Sequence, residues 1–210
     1  MVDTILGKLE WLGHDGYRLV AGNQVIYFDP FKLSGEHQPA DIILVTHDHF
    51  DHCSLEDIEK ILQESTTIIT ESDSAKKLSG SVITLQPGES CEVNGISVEA
   101  VPSYNTNKKF HPKKNSWLGF IITVEGVRIY HAGDTDYIPE MKNFKTDIAL
   151  LPVSGTYVMT ADEAAQAALD IKPEIAIPMH YNSIVGDTSD AEQFAKALDG
   201  KIRVETLQQV

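Results

Sequence analysis

Short runs of apolar, aromatic and β-branched residues dominate the first half of the chain and predict β-strands. Three of these runs fall within the first thirty residues, namely LEWLG, GYRLVA and QVIYFDP. A continuous apolar run, DIILVTH (41–47), predicts a buried strand, and it ends where histidines and aspartates begin. Ser54 and the spacing of apolar residues in LEDIEKILQE (55–64) then predict a capped helix.

Strand patterns continue through residue 131 with one short helical interruption. TTIIT (66–70) and SVITL (81–85) predict strands, and SDSAKKLS (72–79) between them predicts a short helix. Two hairpins follow, because the pairs Asn94-Gly95 and Glu125-Gly126 each separate two strand patterns.

The last third of the chain alternates strands with helices. TDIALLPVSG (146–155) and EIAIPMHYN (174–182) predict buried strands, and IRVETL predicts a last one. Thr160 and Glu163 stand in capping-box spacing at the start of one helix, and SDAEQFAKALDG (189–200) predicts another. Strands followed by helices, twice over and without a linker, predict a single domain over residues 1–210. The expected fold is of the α+β class, with two β-sheets packed together and helices outside, a four-layer αββα sandwich.

Composition and charge narrow the class of protein. The chain has 31 acidic against 17 basic residues, a formal charge of −14, which disfavours binding to nucleic acid or to an anionic membrane. No apolar run approaches the roughly 18 residues that a membrane span needs, and the first residues lack a signal-peptide pattern. Two cysteines make a disulfide framework unexpected, so we predict a cytoplasmic protein. The short loops leave sheet edges at which two copies can pair, and the sequence leaves the oligomeric state open.

The segment THDHFDHCS (46–54) concentrates the candidate chemistry. Burying imidazoles and carboxylates is costly unless each finds a partner, so such a cluster either stays solvated or holds a ligand. His47 and His49, two residues apart on an extended turn, can reach one metal ion. The spacing of Asp51 and His52 allows them to reach a second ion or the opposite wall of the same metal site. Nitrogen and carboxylate ligands favour Zn²⁺, with Mn²⁺ or iron as alternatives.

Two further predicted strands end in polar motifs, YHAGDTD with Asp134 and IPMHYN with His180. Taken in order, THDHFDH, YHAGDTD and IPMHYN resemble the metal motifs of the metallo-β-lactamase superfamily. The resemblance extends from WLGHDGYRL near the start to IKPEIAIPMH near the end. It is nearest to the compact branch that contains ascorbate-6-phosphate lactonase-like proteins, and the motifs do not identify a substrate.

The resemblance implies a binuclear metal site with zinc, or else manganese or iron. The family's ligand positions correspond to six residues here: His47 and His49 for the first ion, Asp51, His52 and His180 for the second, and Asp134 as a bridge. A hydroxide held between the ions would attack an ester, lactone or phosphoester, because metal binding lowers the pKa of water toward ~7. Asp51 would also orient the nucleophile or receive its proton.

One position departs from the family pattern. The family supplies a further histidine to the first site from a strand end in mid-chain, where this chain has Ser103, Tyr104 and Asn105. We assign His111, six residues beyond Asn105, as the missing ligand. If His111 is not a ligand, the first ion is weakly held or the protein binds one ion. Tyr104 and Asn105 would then face the substrate or support the ligands.

Other polar residues receive roles from the same comparison. His14 matches a histidine that this branch places beside the metals, which implies a catalytic or supporting role at the substrate. Asp29 either accepts the second N–H of a ligand histidine or is a simple turn residue. His131 is interpreted as a core histidine. The segment KKFHPKK (108–114) is either a solvated loop or a lid that attracts anionic substrates.

These features predict a metal-dependent hydrolase that acts on a small anionic ester, lactone or phosphodiester. A phosphodiesterase or nuclease is the alternative enzyme, and the charge of −14 counts against a nuclease. A non-catalytic metal-binding or sensing protein is the alternative from another class. The presence of Asp51, Asp134 and His180 together argues against that alternative.

Overall fold

In the computed structural model, which describes residues 1–210, thirteen strands form two β-sheets. The six-stranded sheet holds its strands in chain order: β1 (Leu9–Gly13), β2 (Gly16–Ala21), β3 (Gln24–Phe28), β4 (Ile42–Leu44), β5 (Thr67–Thr70) and β6 (Ser81–Thr84). Strands β1 to β3 pair antiparallel, and β3 to β6 pair parallel.

The seven-stranded sheet contains the remaining strands, also as sequential neighbours. They are β7 (Ser90–Val93), β8 (Ile96–Pro102), β9 (Leu118–Val124), β10 (Val127–His131), β11 (Ile148–Pro152), β12 (Ile175–Met179) and β13 (Arg203–Val204). Strands β7 to β10 pair antiparallel, whereas β10 to β13 pair parallel. Parallel neighbours need crossover connections, so helices lie between these last strands in the chain.

Five helices complete the fold: α1 (Val2–Leu6), α2 (Leu55–Ile61), α3 (Ser72–Ala75), α4 (Ala161–Ile171) and α5 (Thr188–Leu198). Helices α2 and α3 pack on the six-stranded sheet, and α4 and α5 pack on the seven-stranded sheet. The predicted αββα sandwich is confirmed. Helix α1 lies in a stretch predicted to contain only strands, and its single turn is too short to show a helical period of apolar residues.

Strand β4 shows how the sequence positions the rim of the sandwich. Ile42 and Leu44 belong to the core between the two sheets, while Ile43 packs with Ile58 and Ile61 of helix α2. Side chains alternate along a strand, so a strand covered on both faces needs an apolar residue at every position. The His/Asp cluster begins where this double burial stops, which places it at the edge of the sandwich.

The predicted N-terminal caps of helices α2 and α4 are confirmed. The Ser54 side chain accepts a hydrogen bond from the Asp57 backbone N–H, and Thr160 and Glu163 form the reciprocal capping box of α4. Both cysteines are free thiols, as the sequence suggests. The structure contains no helix with the length and apolar character needed to cross a lipid bilayer.

Candidate metal centre

Six of the eight histidines converge at one rim of the sandwich. Loops after four strands and one hairpin turn deliver the polar residues: His14 from the β1–β2 turn, His47, His49, Asp51 and His52 after β4, His111 after β8, Asp134 after β10, and His180 after β12. Strand ends from both sheets meet at this rim, so residues far apart in sequence become neighbours.

The first group of ligand atoms comes from His47, His49 and His111, whose ring nitrogens lie within 4.8 Å of one another. Nε2 of His47 is 3.0 Å from Nδ1 of His49. Nε2 of His111 lies 3.1 Å from Oδ2 of Asp134. The structure therefore brings His111 to the place that its assignment requires, and its ligation remains a prediction.

The second group surrounds the other carboxylate oxygen of Asp134. Nε2 of His52 and Nε2 of His180 each lie 3.3 Å from Oδ1 of Asp134. Asp51 stands at the edge of this group, with its Oδ2 3.8 Å from Nε2 of His52 and 3.1 Å from Nε2 of His14. Asp134 thus directs one oxygen toward each group of histidines.

The atoms that meet here lack ordinary hydrogen bonds. Nε2 of His52, Nε2 of His111 and Oδ1 of Asp134 are buried and have no hydrogen-bond partner. Leaving such atoms buried and unpaired costs free energy, on the order of 1–3 kcal/mol for each group. Imidazole nitrogens and carboxylate oxygens are the ligands of zinc and related ions, so cations between these residues would satisfy all three atoms.

The outer nitrogens of four histidines are held by hydrogen-bonding partners. The contacts are Nδ1 of His47 to Oγ1 of Thr46 at 3.0 Å, Nδ1 of His52 to Oδ2 of Asp29 at 2.7 Å, Nδ1 of His111 to Oδ1 of Asn105 at 3.3 Å, and Nδ1 of His180 to Oγ of Ser154 at 2.8 Å. Such partners fix the ring orientation and leave Nε2 facing the centre. Asp29 therefore contacts the outer nitrogen of His52, as the first of its two predicted roles requires, and the ligation of a metal by His52 stays a prediction.

The backbone is strained where these residues stand. His14, Asp29 and His180 have positive φ angles of 53°, 38° and 62°, which non-glycine residues adopt rarely. The His180 backbone N–H donates to the His14 carbonyl at 3.1 Å and ties the two turns together. Each such residue costs roughly 1–3 kcal/mol and persists only where the surroundings impose it, which is typical of functional sites.

Gly133 allows the segment that carries Asp134 to lie close to Thr46, the residue next to His47. Gly133 has a φ of 59°, and a Cβ atom at that position would lie 3.0 Å from side-chain atoms of Thr46 and from the Leu118 carbonyl oxygen. Any larger residue would push Asp134 away from the histidines that it faces.

Burial and charge act differently on the histidines of the two groups. Burial lowers the pKa of His47 well below its usual value and also lowers that of His49, so both rings are neutral and able to bind a cation. Burial opposes charge on His180 as well, but the carboxylates of Asp134 and Asp15 raise its pKa to about 9. A cation that binds at His180 at neutral pH therefore displaces a proton.

A cavity of about 240 Å³ opens above the histidines. Its lining consists of His49, Phe50, Asp51, Phe110, His111, Asp134, Tyr157 and Ile184. None of the four lysines of segment 108–114 contributes to this lining. Nζ of Lys108 instead lies 2.7 Å from Oδ1 of Asp136, and Nζ of Lys113 lies 3.0 Å from Oε1 of Glu140.

Sequence reasoning did not find every polar residue of the centre. It missed Asp15 and Ser154, whose partners lie far away in the sequence, and Thr46, whose contacts with His47 and Asp29 no residue spacing indicates. Asp15 stood beside His14 in the same motif, and its charge in a predicted strand-to-strand turn was the available clue. His131 is fully buried, with its Nε2 2.8 Å from the Asp15 carbonyl oxygen, in agreement with its interpretation as a core histidine.

Comparisons with known proteins identify the family of the chain. The family model described as a beta-lactamase superfamily domain matches residues 8–180. A UPF0173 metal-dependent hydrolase from Thermoplasma acidophilum is 38% identical over 215 residues, which cover 93% of this chain and 92% of the relative. Neither description refers to a lactonase, and the assignment to the lactonase-like branch stays a prediction.

Solved structures give the same result. A crystal structure described as a metal-dependent hydrolase, from Parabacteroides distasonis, is 38% identical with a TM-score of 0.85, covering 95% of this chain and 93% of that one. A metallo hydrolase from Ignicoccus hospitalis is 25% identical with a TM-score of 0.76, covering 96% and 94%. From the matched domain and these full-length relatives, the chain belongs to the metallo-β-lactamase superfamily and, within it, to the UPF0173 family of metal-dependent hydrolases.

Proposed function

We propose that this chain is a binuclear hydrolase that cleaves a small ester, lactone or phosphodiester. The position of Asp134 carries the proposal, since its Oδ2 faces His111 at 3.1 Å and its Oδ1 faces His52 and His180 at 3.3 Å. A carboxylate with one oxygen toward each group is suited to bridge two cations. The metal-dependent hydrolases among the relatives support the reaction class.

The residues present fit two ions. The first would be held by His47, His49 and His111, the second by Asp51, His52 and His180, and both by Asp134. Zinc is the first candidate for these ligands, with manganese or iron as alternatives. When bound, such ions make water acidic enough to react near neutral pH and stabilise charge on the reacting oxygens.

Asp51 and His14 are suited to handle the proton of the reaction. Although burial acts against its charge, the hydrogen bond with His14 lowers the pKa of Asp51 and keeps it a carboxylate. Burial lowers the pKa of His14, so its ring is neutral and orients Asp51 through Nε2. Asp51 also lines the cavity, where it can accept a proton from the attacking water or deliver one to the leaving group.

The cavity rim favours an uncharged substrate that carries an apolar group. Phe50 is 69% exposed, Phe110 is 50% exposed and Ile184 is 38% exposed, although all three are large and apolar. The side chains of Lys108 and Lys113, which could attract an anion to this rim, are paired with Asp136 and Glu140 instead. We therefore propose a neutral ester or lactone with an aromatic or alkyl group, ahead of the anionic substrate that the sequence suggested.

Metal removal and reloading test the proposed reaction. We expect protein freed of metal by a chelator to be inactive, and protein reloaded with zinc or manganese to hydrolyse a chromogenic aryl ester or lactone. A bis-aryl phosphodiester, measured in parallel, separates the alternative phosphodiesterase, which would cleave it in preference to the ester. Reloaded protein that holds two ions per chain and cleaves none of the three compounds would instead be the non-catalytic metal-binding protein.

Replacement of Phe110 by alanine tests the substrate class. Losing apolar contact over about half of a phenyl ring costs roughly 1 kcal/mol, so we expect KM for the aryl ester to rise about fivefold with kcat unchanged. The Lys109→Ser variant serves as the matched control on the same loop and should leave KM as it is. If Lys109→Ser instead raises KM for an anionic ester, with an effect that weakens in salt, the lysine lid is the correct interpretation.

A further inference from the structure

Asp15 is a fully buried carboxylate that the proposed ligand set does not use. The residue is 0% exposed, and neither of its carboxylate oxygens has a hydrogen-bond partner. It lies in the turn between β1 and β2, directly after His14. Leaving a charged group buried without a partner is among the costliest arrangements in a folded protein, so Asp15 must either hold a proton or have a positive charge beside it.

The surroundings of Asp15 identify where that charge would lie. Ligand atoms of Asp15, His52, Asp134 and His180 lie within 4.8 Å of one another, and all four residues are buried. The set contains two carboxylates, which repel each other unless a proton or a cation stands between them. It contains no lysine or arginine, and Oδ2 of Asp15 is 3.8 Å from Nδ1 of His52, too far for a hydrogen bond.

We infer that Asp15 is a ligand of the second metal ion. The inference rests on the proposed metal centre and adds a carboxylate to it. The first group then offers three imidazoles and one carboxylate oxygen. The second offers the imidazoles of His52 and His180, with His14 within 4.8 Å of both, and three carboxylates, those of Asp15, Asp51 and Asp134.

The two sites consequently differ in the ion that they prefer. Imidazole-rich sites suit zinc, and sites rich in carboxylates suit harder ions such as Mn²⁺. The structure therefore assigns zinc to the site of His47, His49 and His111, and manganese to the site that contains Asp15. The protein would carry one ion of each kind when manganese is supplied in large excess over zinc.

Competitive loading of metal-free protein tests this assignment. Wild-type protein is dialysed against Mn²⁺ in about thousandfold excess over Zn²⁺, because a given site generally binds zinc more tightly than manganese. Both metals are then counted per chain by mass spectrometry. We expect about one zinc and one manganese. The Asp15→Asn variant keeps the side-chain volume but removes the charge, and it is loaded in the same way. We expect its affinity for Mn²⁺, measured by the electron paramagnetic resonance signal of the ion, to be at least tenfold lower than that of wild type, with the zinc count unchanged.

Asp57→Asn is the matched control, because Asp57 is also a buried carboxylate but has its hydrogen-bond donors away from the centre. They are the backbone N–H groups of Lys32 and Leu33, the Ser54 hydroxyl and the Lys60 ammonium. Its metal counts should equal those of wild type. Unchanged manganese binding in Asp15→Asn would overturn the assignment. A count of two zinc ions and no manganese in wild-type protein would also overturn the assignment, and this result does not depend on whether the variant folds. Wild-type protein that binds neither metal would refute the proposed hydrolase itself, which is a separate outcome.

Discussion

Replacement of Asp134 by alanine is expected to remove both metal ions and to abolish hydrolysis. Asp134 is 4% exposed and faces His111 through one oxygen and His52 and His180 through the other, so no other residue can take over its position. Loss of a partner that merely supports a ligand costs roughly 10–100-fold in metal affinity. A shared ligand of both ions should cost more, leaving fewer than one ion per chain and activity reduced by more than that factor. Metal counts and kcat/KM on the aryl ester measure the two effects.

Asp170→Asn is the control for this variant, since Asp170 is a carboxylate that contacts Tyr137, outside the centre. It should keep both ions and full activity. Thermal unfolding of the metal-free proteins shows whether Asp134→Ala is folded. A folded Asp134→Ala variant that retains two ions would exclude the bridging role and with it the binuclear geometry proposed here.

Replacement of His111 by alanine is expected to lower the metal content from about two ions per chain to about one. His111 supplies one of the three imidazoles of the first group, and the second group shares only Asp134 with that group. The second ion should therefore stay bound while the first is lost. Hydrolysis should fall at least a hundredfold, because a ligand contributes more than the residues that support it. Mass spectrometry of protein purified without chelator gives the metal counts.

His37→Ala is the matched control, because the His37 ring contacts the Ser34 carbonyl oxygen in a loop outside the centre. It should keep two ions and full activity. A metal content that is the same in His111→Ala and in wild type would remove His111 from the first site. The contact between His111 and Asn105 would then have only a structural role.

The pattern of apolar residues determined most of the fold. The run DIILV is apolar at every position because β4 is covered on both faces, and this alone predicts a buried strand that ends at the rim. The hairpin at Asn94-Gly95 and the capping box at Thr160 depend on neighbours within a few residues, so both can be predicted from the sequence. Helix α1 cannot be predicted in this way, because a single turn is too short to show a helical period of apolar residues.

The candidate ligands differ in the same way, because only some of them can be recognised from residues nearby in the sequence. His47, His49, Asp51 and His52 stand together in one motif, and their spacing by itself indicates a metal site. His111 could be assigned only because the family resemblance implies a further histidine ligand, since the contact that positions it joins it to Asn105 across a loop.

Tertiary structure alone decided the rest. Asp15 lies 37 positions before His52, the ring that its carboxylate approaches, and Ser154 lies 26 positions before His180, the ring that it orients. The lysines of segment 108–114 suggested an anionic substrate, but two of them, Lys108 and Lys113, pair with Asp136 and Glu140, which become their neighbours only in the fold. Sequence spacing thus determined the metal motif and the sandwich, which arise from local periodicity. The environment of each charge depends on which strand ends meet, and only the packing of the two sheets decides that.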